Sequence, residues 1–96
     1  MDNQYYIYIL TNYAKTSFYV GVTSNLIRRV YEHKHKVNKG YTAQYHIDKL
    51  IYFEVFEDIE QVIKREKQIK AGSRQKKIDI INSLNLGWKD LYNDIL

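Results

Sequence analysis

From Tyr6 to Thr23 the chain twice sorts its side chains into two sets with a period of two. Tyr6-Ile7-Tyr8-Ile9-Leu10 and Tyr19-Val20-Gly21-Val22-Thr23 are rich in β-branched and aromatic residues. Thr11, Asn12, Ala14, Lys15, Thr16 and Ser17 between them are polar and turn-compatible, which predicts a β-hairpin closed by a longer loop. Alternation then assigns faces: Ile7 and Ile9 join Phe18, Val20 and Val22 on one, and Tyr8 meets Tyr19 on the other beside Gly21. A glycine inside a strand marks either room for a packed ring or the close approach of a ligand, and both readings stay open for Gly21.

The period then changes. Thr23, Ser24 and Asn25 offer N-cap side chains for a helix from Leu26 to about Val37, with Leu26, Ile27, Val30 and Val37 as its apolar stripe. Arg29 and His33, one turn apart, fall together on the margin of that stripe, where a side chain is steadied by the core yet reaches a ligand. Arg28, Glu32, Lys34 and Lys36 read as solvated charges. From Asn38 to Lys49 the periodicity lapses into a loop. There Lys36, Lys39, Tyr41, Tyr45, His46 and Lys49 form a basic segment punctuated by rings, suited either to a phosphate backbone with stacked bases or to tyrosines tucked onto the sheet. Leu50 to Phe56 is strongly β-prone and predicts a third strand of the same sheet.

Asp58, with Gln61 three residues on, approximates a capping box and opens a helix to about Ala71; Gly72 closes it and Ser73 caps the next. Its apolar stripe is Ile59, Val62, Ile63 and Ile69, and Glu66 falls near the middle of that stripe. A carboxylate facing a core is costly unless paired, protonated or bound to a cation. The flanking Arg65 and Lys67 point away, so the expected partner is Arg29 or a divalent metal. A further helix runs from Arg74 to about Leu84, with Ile78, Ile81 and Leu84 inward, until Asn85-Leu86-Gly87-Trp88 breaks it; Trp88, Leu91 and Tyr92 then anchor the tail. The pattern predicts an α+β fold, a three-stranded antiparallel sheet flanked by about three helices, in a single domain over residues 1–96 without repeats or linkers.

Composition narrows the function. The absence of cysteine removes disulfides, thiolate nucleophiles and Cys-rich zinc sites together, and suits a reducing, cytoplasmic setting. His33, His35 and His46 are too scattered for a structural metal site. No apolar run approaches a membrane span, and the opening Met1-Asp2-Asn3-Gln4 does not resemble a signal peptide. Fifteen Lys and Arg against eleven Asp and Glu give a formal charge of +4, a moderate lean towards polyanions. The ten tyrosines point the same way, each pairing a flat stacking face with a hydroxyl, although cross-strand packing accounts for most of them.

Tyr6-Ile7-Tyr8 and Tyr19-Val20-Gly21 resemble the paired tripeptides of the GIY-YIG nuclease family, Gly-Ile-Tyr and Tyr-Ile-Gly, with Tyr6 in place of the first glycine. The order of elements is similar over essentially the whole chain. Arg29, eight residues past Gly21, matches the family's arginine, and His33 matches a His or Tyr four later. Lys64-Arg65-Glu66-Lys67-Gln68-Ile69-Lys70, Tyr52-Phe53-Glu54 and Ser73-Arg74-Gln75-Lys76-Lys77 resemble the small stand-alone bacterial members.

The resemblance implies an endonuclease acting on DNA, in repair or processing of structured DNA. By the same resemblance Glu66 holds one divalent ion, Mg²⁺ or Mn²⁺, Arg29 binds the scissile phosphate, and Tyr8 or Tyr19 is the general base on water. A phenol with an unperturbed pKa of about 10 is a poor base, so it needs help from Arg29 or the metal, or a relay through His33. The family's late asparagine is assigned to Asn85, with Asn82 and Asn93 as alternatives. Gly21, Lys36, Lys39, Tyr41, Tyr45 and Lys49 make up the expected nucleic-acid path. The rival expectation is a non-cleaving or partner-dependent binding module of the same fold; the small size leaves no separate targeting domain and points to a protein partner for targeting.

Overall fold

The structure is a computed structural model and describes residues 4–96; the polar opening Met1 to Asn3 lies outside them. Strands β1 (Tyr5–Thr11) and β2 (Phe18–Thr23) form the hairpin, and β3 (Lys49–Phe56) pairs antiparallel with the other edge of β1, giving the order β2-β1-β3. The helices are α1 (Leu26–Lys34), the single-turn α2 (Tyr41–Gln44), α3 (Ile59–Ala71), α4 (Arg74–Leu84) and the single-turn α5 (Tyr92–Ile95). This is the expected α+β architecture, with the central strand buried from Ile7 to Thr11.

Each sheet face carries its own core, as the alternation of β1 requires. Ile7, Ile9, Val20, Ile51 and Tyr52 pack with Val62 and Ile69 of α3 and Ile81 of α4. Tyr8, Leu10 and Leu50 pack on the opposite face with Leu26 and Val30 of α1 and with Ile47. The β1–β3 register slips between Ile9 and Leu10, which face Tyr52 and Leu50 and leave Ile51 without a partner on β1. That bulge lets Ile51 and Tyr52 both serve the α3 side. The long helices begin on capping side chains: Asn25 accepts from the Arg28 amide, Asp58 from Glu60 and Ser73 from Lys76.

Several boundaries and faces differ from the sequence reading. Helix α1 stops at Lys34, because the chain turns through a left-handed Lys36 at φ 52°. Val37 is therefore exposed; Ile27, at the helix start, faces outward as well, and the buried stripe is Leu26, Val30 and His33. The expected loop contains α2 and buries Ile47. Lys34 is not a solvated charge: its ammonium donates to the Asp48 carbonyl and pairs with Asp90. Glu32 is likewise engaged, by Arg28 at 3.4 Å and Arg29 at 3.1 Å. On α3 only Val62 and Ile69 are buried, so the stripe is narrower than the one that included Ile59 and Ile63. On α4 Ile81 is buried, Ile80 packs beside it, and Leu84 faces outward.

Candidate active site

Hairpin pairing sets Tyr8 opposite Gly21, and the missing side chain makes the site. A Cβ at Gly21 would stand 2.4 Å from both Cζ and the hydroxyl of Tyr8. The room beside Gly21 is thus filled by the phenol, which corrects the expectation that Gly21 receives nucleic acid. Tyr8 is 1% exposed, with the rings of Tyr19 and His33 centred 6.2 and 5.8 Å away. Tyr19 also lies against His33, at 5.6 Å. Both tyrosines therefore stand on the sheet face that packs on α1.

The polar contacts form a chain. The Tyr8 oxygen lies 3.4 Å from Nε of Arg29 and 3.1 Å from Nε2 of His33. A guanidinium only donates, so Tyr8 accepts from Arg29. The Tyr8–Nε2 bond and the 3.0 Å bond between Nδ1 of His33 and Oγ1 of Thr42 take their direction from the histidine tautomer: with the hydrogen on Nδ1, Tyr8 donates to Nε2 and Thr42 accepts. Burial, with Arg29 adding to it, lowers the His33 pKa below the ordinary 6.5 and keeps the ring neutral near pH 7. Burial likewise pushes Tyr8 up to about 12, against the opposing hydrogen bond from Arg29. Arg29 is raised in turn, chiefly through its bond to Tyr8. Of the three routes left open for the phenol, Arg29, the metal or a relay through His33, Arg29 alone does not depress it, because desolvation outweighs the guanidinium.

Beside this chain opens a cleft of about 270 Å³, lined by Tyr19, Arg29, Glu32 and His33 and by residues 38–42. Lys39 and Tyr41 of the basic segment line it, and Tyr45 packs on Tyr41 with ring centres 5.0 Å apart and the planes tilted by 52°. Both tyrosines are about half exposed and are not tucked onto the sheet. Lys36 is not among the lining residues, and Lys49 belongs to β3 and a different cleft. Two contributors were missed. Glu32 could have been found from its spacing to Arg28 and Arg29, whereas nothing in the sequence marks Thr42.

Glu66 is placed differently from expectation. Its carboxylate pairs with Lys70 one turn along α3, at 3.2 Å, with the side chain 23% exposed. The partner is local, not Arg29. The carboxylate is nonetheless near enough to help raise the Tyr8 pKa. Arg65 does not point away either: it forks onto Glu54 of β3, whose carboxylate also accepts from the Tyr52 hydroxyl. Among the described residues no three His, Cys, Asp or Glu side chains gather for a metal. A single hard carboxylate still fits Mg²⁺, which keeps several waters and takes one or two carboxylates together with substrate phosphates.

Asn85 is not brought to the site. Buried at the end of α4, it donates to the carbonyls of Ile51 at 3.0 Å and Lys89 at 2.7 Å, and accepts from the Lys89 amide at 3.1 Å. Those bonds tie α4 to the β3 bulge and give the side chain a structural task, which corrects its assignment as catalytic. Asn82 accepts from the Trp88 indole at 2.6 Å, and Asn93 is exposed on α5.

Residues 4–79 match the family model described as the GIY-YIG catalytic domain. The UPF0213 protein CPE1444 of Clostridium perfringens is 36% identical over 90 residues, covering 94% of this chain and 96% of that protein. A UPF0213 protein of Syntrophus aciditrophicus is 39% identical over 77 residues, 79% of this chain and 87% of its own. The solution NMR structure of the UPF0213 protein BH0048 from Bacillus halodurans has a TM-score of 0.59 at 25% identity, covering 91% of this chain and 92% of that one. A family model spanning most of the chain, and relatives matched nearly end to end, show that it belongs to the GIY-YIG family of nucleases.

Proposed function

We propose that this protein is a metal-dependent endonuclease that hydrolyses phosphodiester bonds in DNA, acting in the cytoplasm in repair or processing of structured DNA with a protein partner for targeting. The observation that carries the reading is the hydrogen-bonded chain Arg29–Tyr8–His33–Thr42 beside an open cleft, and the relay uses the His33 tautomer with its hydrogen on Nδ1. A buried phenol with its pKa at about 12 is not a resting phenolate. Its proton must leave as another arrives: the Tyr8 oxygen takes a proton from the attacking water while its own passes to Nε2 of His33. The imidazolium so formed keeps both hydrogens bonded, to Tyr8 and Thr42. We assign the base role to Tyr8 because its hydroxyl makes those contacts; it lies buried behind the cleft wall of Tyr19, Arg29 and His33, so the attacking water has to enter past them.

Arg29 spends its Nε hydrogen on Tyr8 and one Nη1 hydrogen on Glu32, which leaves the Nη2 donors for a phosphate oxygen. It would stabilise the charge that builds in the transition state. Glu66 would hold Mg²⁺ or Mn²⁺, which supplies Lewis-acid stabilisation of the leaving oxygen. Lys39 and the exposed rings of Tyr41 and Tyr45 would hold the flanking strand. The test is incubation of the purified protein with flapped, branched, duplex and single-stranded DNA in Mg²⁺, Mn²⁺ or EDTA, beside Tyr8→Phe and Arg29→Ala. Cleavage that needs the metal and both residues is expected. Binding without cleavage in every arm would make the protein the non-cleaving module instead.

A further inference from the structure

A second cleft carrying lysines lies away from the proposed active site. About 420 Å³ in volume, it sits at the hairpin end of the sheet, where Thr11 stands across from Phe18 on one side and Lys49 on the other. Tyr13, Lys15, Lys49, Trp88 and Asp90 are among its lining residues. Tyr13 is 90% exposed, an apolar ring presented to solvent from a loop that is anything but slack. Asn12 accepts from the amides of Thr16 at 2.9 Å and Ser17 at 3.2 Å, and Arg74 donates to the carbonyls of Thr16 and Lys15 while lying 4.6 Å over the Phe18 ring. A rigid loop binds at low entropic cost, so an exposed ring held this way is suited to contact.

The charges favour an anion. Asp90 is already engaged by Lys34 and by the amides of Leu50 and Tyr92, and Lys49 shares Asp48 at 3.2 Å. Lys15 and Arg74 have no carboxylate partner among the described residues, so the neighbourhood stays positive. A lone ring standing beside lysines matches a nucleotide's flat base and phosphate. The base must be unpaired, because a duplex hides the faces of its bases.

We propose that this cleft is a second nucleic-acid subsite that takes an unpaired nucleotide, its base stacked on Tyr13 and its phosphate held by Lys15 and Lys49, so that the favoured substrate carries a single-stranded segment. The inference rests on the nuclease reading, and its test does not need cleavage. Fluorescence anisotropy in EDTA compares a labelled single-stranded oligothymidylate with a blunt duplex of equal phosphate number, for wild type, Tyr13→Ala, Tyr13→Phe and Lys15→Ala. Tyr13→Ala should weaken single-strand binding by about 10-fold and leave the duplex unchanged, and Tyr13→Phe should restore it. Lys15→Ala should lower the salt slope for the single strand by about 0.7. Unchanged single-strand affinity in Tyr13→Ala, equal losses for both ligands, or failure of Tyr13→Phe to restore binding overturns the subsite. A protein that binds through Tyr13 yet cuts nothing keeps the subsite and loses the nuclease reading; one that cuts while Tyr13→Ala binds as wild type does the reverse.

Discussion

Gly21→Ala adds one carbon, and the surroundings decide its cost. The new Cβ falls 2.4 Å from the Cζ and hydroxyl of Tyr8, against an ordinary contact of about 3.5 Å, so the phenol or β2 must give way by about 1 Å. The ring has nowhere easy to go, being buried and bounded by Tyr19 and His33. Overpacking of this kind costs about 1–3 kcal/mol, which for a domain of this size lowers the melting temperature by roughly 4–24 °C. The same movement disturbs the 3.1 Å contact to His33, and a misplacement of about 1 Å at a reacting centre costs on the order of 10²-fold.

Gly87→Ala is the control, since nothing lies within 4 Å of a Cβ there. Thermal melts and the cleavage rate are measured for both, and then for Gly21→Ala in a Tyr8→Leu background, where the ring and hydroxyl are gone. In that background the alanine should cost little, so the two changes should be strongly non-additive. Additive losses, or a Gly21→Ala protein with wild-type melting and activity, would refute the view that Gly21 exists to admit Tyr8.

Arg29→Ala should lose about 10²-fold or more in kcat/KM, whereas the largely exposed Arg28→Ala should cost little beyond salt-dependent binding; equal effects would mean general electrostatics and no site. The pH profile of kcat/KM should hold down to pH 6.5 and fall below it, because the relay needs neutral His33 and its pKa is lowered. The Tyr8 proton, held until about pH 12, should leave no alkaline fall through pH 10, so an acid limb above 6.5 or a tyrosine limb near 10 contradicts the relay. Glu66→Gln should change the metal-free melting temperature little, since the Lys70 pair is a partly exposed i,i+4 bridge, yet abolish stabilisation by added Mn²⁺; a Mn²⁺ shift that persists in the variant removes Glu66 as the ligand.

The hairpin and its two faces were legible because a period of two admits only one sorting of Ile7, Ile9, Tyr8 and Tyr19. Arg29 and His33 were legible as neighbours for the same kind of reason, one helical turn. What escaped had no periodic signature or had a signature that misled. Val37 is apolar and in phase, but the left-handed Lys36 ends the helix first. Glu66 looked unpartnered on its stripe although Lys70 stood at the right spacing; on α3 the exposed margin at Ile59 and Ile63 lets both charges reach water. Lys34 and Asp90 meet across 56 positions of chain, which no local pattern encodes.

The site's chemistry follows from burial as much as from residue identity. An exposed phenol in the position of Tyr8 would titrate near 10 and bond to water, and the direction of its proton would be undetermined. Enclosed between Gly21, Tyr19 and His33, it has Arg29 as a donor and His33 as its other partner, and its raised pKa keeps the proton in place until another arrives. Thr42 extends the same logic, since its hydroxyl can accept the Nδ1 hydrogen of the tautomer the relay uses, which leaves Nε2 facing Tyr8. Thr42 rides on the single turn α2 that also carries Tyr41, adjacent to it, and leads into Tyr45. A strand stacked on those exposed rings would therefore hold in place the turn that bonds the histidine's Nδ1, so grip on the substrate and readiness of the relay depend on one short segment.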